Sequence, residues 1–133
     1  MTQARIAKKI LIVEDEATQA LLLTSSLSAH GFQVCSAMNG EDGLRKAFAE
    51  RPDLVLMDII LPRMTGVELC RRLKEAPETR DIPVILVTAS GMRNLEARCK
   101  LFGVDACVAK PYEMPDLIEK IQQLLGGVLN PSA

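Results

Sequence analysis

The sequence predicts an α/β fold in which a five-stranded parallel sheet is doubly wound by five helices. The first observation is a set of five short strand-like runs, of which the central one, within Asp53–Pro62, is continuously apolar without period-2 alternation, as expected of a strand buried on both faces. The second is that segments with helical spacing of apolar residues separate these runs. Parallel strands joined by right-handed helical crossovers satisfy both observations. We expect the strand order 2-1-3-4-5, which makes strands one and three neighbours where the winding reverses.

Each apolar run ends at a polar residue or a proline, which indicates where the strand leaves the sheet. The run within Asp53–Pro62 is the central one: it is continuously apolar, ends at Asp58 and is closed by Pro62. A proline is also tolerated at the beginning of a strand, as at Pro83. The predicted strands are Ile10–Val13, Phe32–Ser36, the run that ends at Asp58, Pro83–Val87 and Asp105–Ala109.

Capping residues and glycines bound the helices between the strands. The segment Thr65-Gly66-Val67-Glu68 has the form of a capping box, and Pro115 with Asp116 is typical of a first helical turn. The predicted helices are Ala17–His30, Asn39 to about Glu50, Thr65 to about Glu75, a fourth that ends at Gly103 and a fifth that ends at Gly126. Their predicted inner faces are Ala20, Leu23 and Leu27; Leu44, Ala47 and Phe48; Val67, Cys70 and Leu73; Met92, Leu95, Cys99 and Phe102; and Leu117, Ile118, Ile121, Leu124 and Leu125.

Length and composition predict one soluble domain with one principal site. The 133 residues suffice for a single core. We expect residues 8–126 to form the domain, 1–7 an N-terminal tail, and 127–133 a C-terminal tail or the start of a linker. A net charge of −1 and the lack of a basic run argue against direct nucleic-acid contact. No apolar run is long enough to span a membrane, so we expect no membrane contact and a cytoplasmic location.

The four cysteines and the single histidine do not have the sequence spacing of metal ligands. Cys35, Cys70, Cys99 and Cys107 contain no C-x-x-C pair, and His30 stands alone. We therefore predict reduced thiols in a cytosolic protein.

Polar residues that follow four of the strands are predicted to meet at one edge of the sheet. Asp15 follows strand one with Glu14, Asp58 ends strand three, and Thr88 and Lys110 follow strands four and five. Each residue alone has an ordinary explanation as a turn, a cap, a strand-end hydroxyl or a solvated cation. Their joint occurrence is harder to explain in that way.

The sequence resembles the receiver domain of bacterial two-component response regulators, in the manner of a chemotaxis regulator, over residues 8–126. The segments that carry this resemblance, in order, are Ile12-Val13-Glu14-Asp15-Glu16, Leu56-Met57-Asp58 with Leu61-Pro62, Thr65-Gly66-Val67-Glu68, Val87-Thr88-Ala89, and Gly103-Val104-Asp105-Ala106 leading to Lys110-Pro111. The resemblance implies a flavodoxin-like fold and a phosphorylation switch.

Residue by residue, the resemblance implies that Asp58 is the phosphoacceptor. Lys110, Thr88 and the backbone amide of Ala89 then contact the phosphoryl oxygens. Thr88 also acts as a switch residue, together with the residue at position 107.

The resemblance also implies a divalent metal, Mg²⁺ or Mn²⁺, bound by Asp15 and, mostly through water, by Glu14. Charge provides an independent reason to expect a bound cation. A phosphoryl group with roughly −1.5 to −2 of charge would otherwise be repelled by three carboxylates. An octahedral oxygen site would use the carboxylates of Asp15 and Asp58, the backbone carbonyl of Ile60 and waters.

The expected phosphodonor is a sensor histidine kinase or a phosphotransfer protein. The domain would not be an enzyme for external substrates, since it catalyses only its own phosphorylation and slow dephosphorylation. The signal is expected to reach a downstream target protein through helix four, strand five and helix five, and a homodimer through that surface stays open. Whether the chain is a free-standing regulator or a piece of a hybrid kinase or longer regulator also stays open.

Three other functions are compatible with a fold of this kind. A flavin module would need a phosphate-cradling loop where Glu14-Asp15-Glu16 stands. A hydrolase of the haloacid dehalogenase kind carries a second Asp two residues after the nucleophile, where this chain has Ile60. The remaining alternative is a degenerate receiver acting as a constitutive scaffold, and the intact site residues argue against it.

Cys107 departs from the family, which usually has Tyr or Phe at this position. We expect a buried structural thiol there, without a resolving partner or flanking cation nearby, and output through movement of the Ser90-Gly91 loop and helix four. Two further side chains, those of Ile60 and Ser90, flank the approach of water to the phosphoryl group in this family. Neither orients water well, so we expect slow dephosphorylation.

Overall fold

The computed structural model describes residues 7–89 and 93–126. Within them, five strands alternate with five helices. The strands are β1 (Lys9–Val13), β2 (Gln33–Ala37), β3 (Leu54–Asp58), β4 (Val84–Thr88) and β5 (Ala106–Ala109). The helices are α1 (Ala17–Ala29), α2 (Gly40–Glu50), α3 (Gly66–Glu75), α4 (Leu95–Phe102) and α5 (Met114–Leu124).

The strands form one parallel sheet in the order β2-β1-β3-β4-β5, which confirms the predicted topology. Successive residues of β1 bury their side chains in two different clusters. Leu11 and Val13 lie in one cluster with residues of α2 and α3, while Ile10 and Ile12 lie in the other with residues of α1 and α5. Because both faces of β1, β3 and β4 are buried, these strands are almost continuously apolar rather than alternating, whereas the edge strand β2 has the exposed Gln33 and Ser36.

The predicted helix ends agree with the structure to within one or two residues. Asn39 accepts a hydrogen bond from the Asp42 amide at 2.8 Å and caps α2, and Thr65 accepts one from the Glu68 amide at 3.1 Å and caps α3. The capping box is only half formed, because the Glu68 carboxylate pairs with Arg71 and Arg72 instead. Two arginines on the next turn compete for that carboxylate.

The predicted inner faces need three corrections. Phe48 was expected in the core, but it is 38% exposed, and the small residues Gly43 and Ala47 carry the inner face of α2. Val67 is only half-buried, and Leu69 takes its place. In α4, Leu95, Cys99 and Phe102 are half-buried and no residue from Leu95 to Phe102 is fully buried. Met92 lies outside the described residues.

Gly66 allows α3 to begin close to the end of β3. A Cβ atom at this position would collide with the carbonyl oxygen of Asp58, and the Gly66 amide donates to the carbonyl of Ile59 at 2.9 Å. The close approach fixes the loop that follows Asp58. None of the described helices has the length and apolar character needed to cross a membrane.

Candidate functional site

The predicted site residues lie at the carboxyl edge of the sheet. Asp58 and Thr88 are the last residues of β3 and β4, and Lys110 directly follows β5. Glu14 and Asp15 directly follow β1, which is the neighbour of β3 on the other side. The parallel arrangement brings these strand ends to one edge, because every strand leaves the sheet in the same direction.

Three carboxylates converge there. Oxygen atoms of Glu14, Asp15 and Asp58 all lie within 4.8 Å of one another. A set made only of oxygen donors suits a hard cation such as Mg²⁺ or Mn²⁺. The backbone carbonyl of Ile60 lies in the loop two residues after Asp58. The residues present therefore fit a divalent metal.

The Asp58 carboxylate is held by two donors. Its Oδ1 atom accepts a hydrogen bond from the Ile59 amide at 2.9 Å. Its Oδ2 atom accepts one from the Lys110 ammonium at 3.3 Å. Burial lowers the pKa of Lys110, but the charge and hydrogen bond of Asp58, together with the charge of Glu14, outweigh burial and leave that pKa raised. Lys110 therefore stays cationic beside the carboxylates.

Glu14 is the most buried of the three acids, with 5% of its surface exposed. Burial raises the pKa of Glu14, the hydrogen bond from the Glu16 amide lowers it, and the charge of Asp58 raises it again. The Glu14 Oε2 atom accepts that hydrogen bond at 3.1 Å. One carboxylate oxygen is thus already engaged, which is consistent with an indirect role toward a metal.

Thr88 has an unusual side chain for a strand end. It is fully buried, and within the described part of the chain its hydroxyl oxygen has no hydrogen-bond partner. A buried hydroxyl without a partner costs about 1–3 kcal/mol. Such a cost is typical of groups retained for function.

The other predicted site residues lie near this edge with different exposures. Ala89 is exposed directly after Thr88, and Ile60 is 73% exposed. Ser90 and Gly91 fall outside the described residues, so their predicted roles in water access and in loop movement stay predictions.

Cys107 is half-buried rather than buried, and it has thiol neighbours that the sequence did not reveal. Burial chiefly raises the pKa of Cys107, to about 12, and the neighbouring Cys99 and Cys70 add to the rise. Burial also raises the pKa of Cys70 to about 11. The sequence did not reveal these neighbours, because α3, α4 and β5 bring together cysteines that are far apart in sequence, and the structural role of Cys107 stays a prediction.

Sequence reasoning missed Tyr112 and Gln19. They line a cleft of about 400 Å³ together with Lys110 and Pro111. Burial raises the pKa of Tyr112, the charge of Lys110 lowers it, and the charges of Glu14 and Asp58 raise it further. The position of Tyr112 two residues after Lys110 was a usable signal, but nothing in the sequence placed Gln19 of α1 beside it.

A family model described as the response regulator receiver domain matches residues 10–122. The chain belongs to this family. A response regulator for polar differentiation, DivK of Brucella anthropi, is 40% identical over 119 residues, which are 90% of this chain and 97% of that protein. The phosphate regulon transcriptional regulatory protein PhoB of Rhizobium meliloti is 38% identical over 117 residues, which are 88% of this chain but only 52% of that protein.

Solved receiver structures have the same fold. The signal receiver domain of a signal transduction histidine kinase from Syntrophus aciditrophicus superimposes with a TM-score of 0.83 at 38% identity, covering 96% of each chain. The receiver domain of the sensor histidine kinase PA1611 from Pseudomonas aeruginosa has a TM-score of 0.83 at 27% identity, covering 92% of this chain and 100% of that one. That second structure holds a magnesium ion coordinated in its active site cleft. The chain is thus a receiver domain of two-component signalling.

Proposed function

We propose that this receiver domain is a phosphorylation-activated switch, in which Asp58 accepts a phosphoryl group from a sensor histidine kinase or a phosphotransfer protein. The observation that carries the proposal is that the Lys110 ammonium lies beside a cluster of three carboxylates. The Asp58 carboxylate lies among Glu14 and Asp15 and 3.3 Å from the Lys110 ammonium. The fully buried Thr88 hydroxyl, without a partner among the described residues, ends the neighbouring strand.

The chain's own residues would carry the transfer by positioning and by charge. A carboxylate oxygen of Asp58 forms the new bond to phosphorus as the bond to the donor breaks, in a loose transition state. Lys110 balances part of the incoming charge, and the Thr88 hydroxyl and the Ala89 amide donate to phosphoryl oxygens.

The acidic cluster would hold Mg²⁺ or Mn²⁺ through Asp15, Asp58 and the Ile60 carbonyl, with Glu14 acting through water. When bound, the metal supplies positive charge against the phosphoryl oxygens and the three carboxylates.

The domain would be a phosphoacceptor and not an enzyme for external substrates. Ile60 carries no group that could act as an acid or a base two residues after Asp58, so turnover of outside phosphoesters lacks its proton-transfer residue. Catalysis would be limited to phosphorylation of Asp58 and its slow hydrolysis.

Output would leave through the surface formed by α4, β5 and α5, toward a downstream target protein. The weak anchoring of α4 supports this choice: none of its residues from Leu95 to Phe102 is fully buried, so a small change at Thr88 can shift it at low cost. The alternative of a degenerate receiver with a purely structural role has no support in a site that retains Asp15, Asp58, Thr88 and Lys110.

The test is phosphorylation by a small phosphodonor with Mg²⁺, followed by intact-protein mass spectrometry. The wild-type protein should gain one acid-labile phosphoryl group, and Asp58→Asn should gain none. Asp15→Asn should lose the metal dependence and most of the rate, because the cluster loses a ligand. The exposed Asp81 offers a matched control as Asp81→Asn. Undiminished phosphorylation of Asp58→Asn would refute the assignment.

A further inference from the structure

The loop between β3 and α3 carries the Ile60 carbonyl, which is proposed to bind the metal. Three residues of this loop, Ile60, Pro62 and Arg63, are exposed, and Ile60 is 73% exposed. An exposed side chain does little to fix the backbone that bears it, because it makes few buried contacts. The position of this carbonyl therefore depends on how the residues on either side of it are held.

The amino-terminal side of the loop is held by β4 and α3. The Ile59 amide donates a hydrogen bond to the Val87 carbonyl at 3.0 Å, and the Ile59 carbonyl accepts one from the Gly66 amide at 2.9 Å. A Cβ atom on Gly66 would collide with the Asp58 carbonyl oxygen, so α3 begins in close contact with the end of β3. The chain is thus fixed where it enters the loop.

The carboxyl-terminal side of the loop is held by the first residue of α2. The Gly40 amide donates to the Pro62 carbonyl at 3.3 Å, and the Met64 amide donates to the same carbonyl at 2.8 Å. A Cβ atom on Gly40 would lie 2.5 Å from the Met64 Cβ atom and 2.6 Å from the Met64 carbonyl oxygen. Both distances are shorter than van der Waals contact, so only glycine at position 40 permits α2 and the loop to approach this closely.

The conformation of the loop indicates that its surroundings constrain it. Arg63 has a φ of 71°, in the left-handed region that residues other than glycine rarely adopt. Such a conformation persists where the surrounding structure enforces it. The ion pair of Arg63 with Glu41 at 3.2 Å contributes little, because both side chains are more than half exposed and water screens their charges. The close contact of Gly40 with the loop is the stronger constraint.

We propose that Gly40 is a positioning residue for the divalent metal, because its contact with Pro62 and Met64 sets the place of the Ile60 carbonyl. The inference rests on the proposed metal site. Gly40 acts through the loop and not through a bond to the metal. Alanine at position 40 would push either the loop or the start of α2 outward, and both movements break the hydrogen bond between Gly40 and Pro62.

Two metal ions distinguish a positioning role from a merely structural one. Mg²⁺ requires near-ideal octahedral geometry with ligands at about 2.0–2.1 Å, whereas Ca²⁺ accepts longer and less regular bonds. A displaced carbonyl should therefore weaken the binding of Mg²⁺ more than the binding of Ca²⁺. A general loss of stability would not favour one ion over the other.

The test is the melting temperature of each variant over a range of Mg²⁺ or Ca²⁺ concentrations, which gives a Kd for each ion. Each shift is taken from the metal-free form of the same variant, so a lower starting stability cancels. In Gly40→Ala the Kd for Mg²⁺ should rise about tenfold, as when the support of a metal ligand is lost. The Kd for Ca²⁺ should rise by a smaller factor.

Gly43→Ala is the matched control on the same helix. A Cβ atom on Gly43 would lie 3.0 Å from Val13 and 3.2 Å from Leu69, so it crowds α2 against β1 and α3 instead of against the loop. The Kd values of Gly43→Ala for both ions should be those of the wild type.

Met64→Gly tests the same contact without a collision, and it decides the question where Gly40→Ala does not fold. It removes the side chain that lies against Gly40 and should weaken Mg²⁺ binding more than Ca²⁺ binding. Met64→Ala keeps the Cβ atom and is its control. If the melting temperature of the wild type does not respond to Mg²⁺, the proposed metal site itself fails. If the wild type responds but both variants keep its Kd for Mg²⁺, or lose both ions by the same factor, the role of Gly40 alone is overturned.

Discussion

The backbone amide of Lys110 donates a hydrogen bond to the carbonyl of Thr88 at 2.9 Å. This bond joins the ends of β4 and β5, so the two side chains proposed to contact the phosphoryl group share one backbone link. The Lys110 side chain reaches Asp58, but within the described residues the Thr88 hydroxyl has no partner. The Lys110 ammonium is thus already hydrogen-bonded to Asp58, whereas the Thr88 hydroxyl is available to a phosphoryl oxygen.

We predict that Thr88→Val stabilises the unphosphorylated protein by about 1 kcal/mol, because valine removes a buried hydroxyl that makes no hydrogen bond within residues 7–89 and 93–126. Thr79→Val is the matched control: Thr79 is equally buried, but its hydroxyl donates to the Leu73 carbonyl at 2.7 Å. It should lose about 1 kcal/mol or more. Urea unfolding measures both, and equal destabilisation of the two variants would show that the Thr88 hydroxyl is satisfied after all.

Metal binding should be visible as thermal stabilisation. A ligand that binds only the folded state adds about 2.7 kcal/mol at a hundred times its Kd, so Mg²⁺ should raise the melting temperature of the wild-type protein. Asp15→Asn should remove most of this rise, because the cluster loses one of its three carboxylates. Asp81→Asn should retain it. A full Mg²⁺ response in Asp15→Asn would remove Asp15 from the metal site.

The lifetime of the phosphoryl group should depend on position 60. Ile60 is exposed beside the site and has no polar atom in its side chain with which to orient water. Ile60→Asn should quicken dephosphorylation by no more than ~10²-fold, since one water-positioning contact is added. Ile60→Leu serves as the apolar control. Decay of phosphorylated Ile60→Asn at the wild-type rate would show that this side chain does not control water access.

The Cys107 thiol should react slowly with alkylating reagents in the native protein, because only the thiolate attacks. With a pKa of about 12 against the ordinary 9.0, little thiolate is present at neutral pH. The rate of Cys107 labelling should increase as the pH rises. The slow phase of labelling that belongs to Cys107 should be absent in Cys107→Ser. Rapid labelling of Cys107 at neutral pH would contradict a structural role.

The raised pKa of Cys107 also predicts how the free energy of unfolding changes with pH. Above about pH 9 the unfolded chain releases the Cys107 proton while the folded protein keeps it, so the unfolded state is favoured. The free energy of unfolding should therefore fall between pH 9.0 and about 12, and less steeply in Cys107→Ser.

The strand order and the strand ends were predictable from sequence because they depend on local pattern. A central apolar run without alternation indicates a sheet covered on both faces, and five strands joined by helices admit few topologies. Asp58, Asp15, Thr88 and Lys110 could be assigned to one edge for the same reason. The inner faces of α2 and α3 were less certain, because periodicity locates a stripe but not which of its neighbours is most deeply covered, as Phe48 and Val67 show.

What the sequence alone determined is the set of elements, their order in the sheet and the edge where the chemistry lies, since each follows from residues close together in the chain. Only the tertiary structure decided which side chains from different elements meet. The proximity of Cys99 to Cys107, the Thr88 hydroxyl that has no partner among the described residues, and the cleft shared by Gln19 and Tyr112 all depend on how helices pack against strands. Packing is set by the combined shape of many side chains, and no local pattern encodes it.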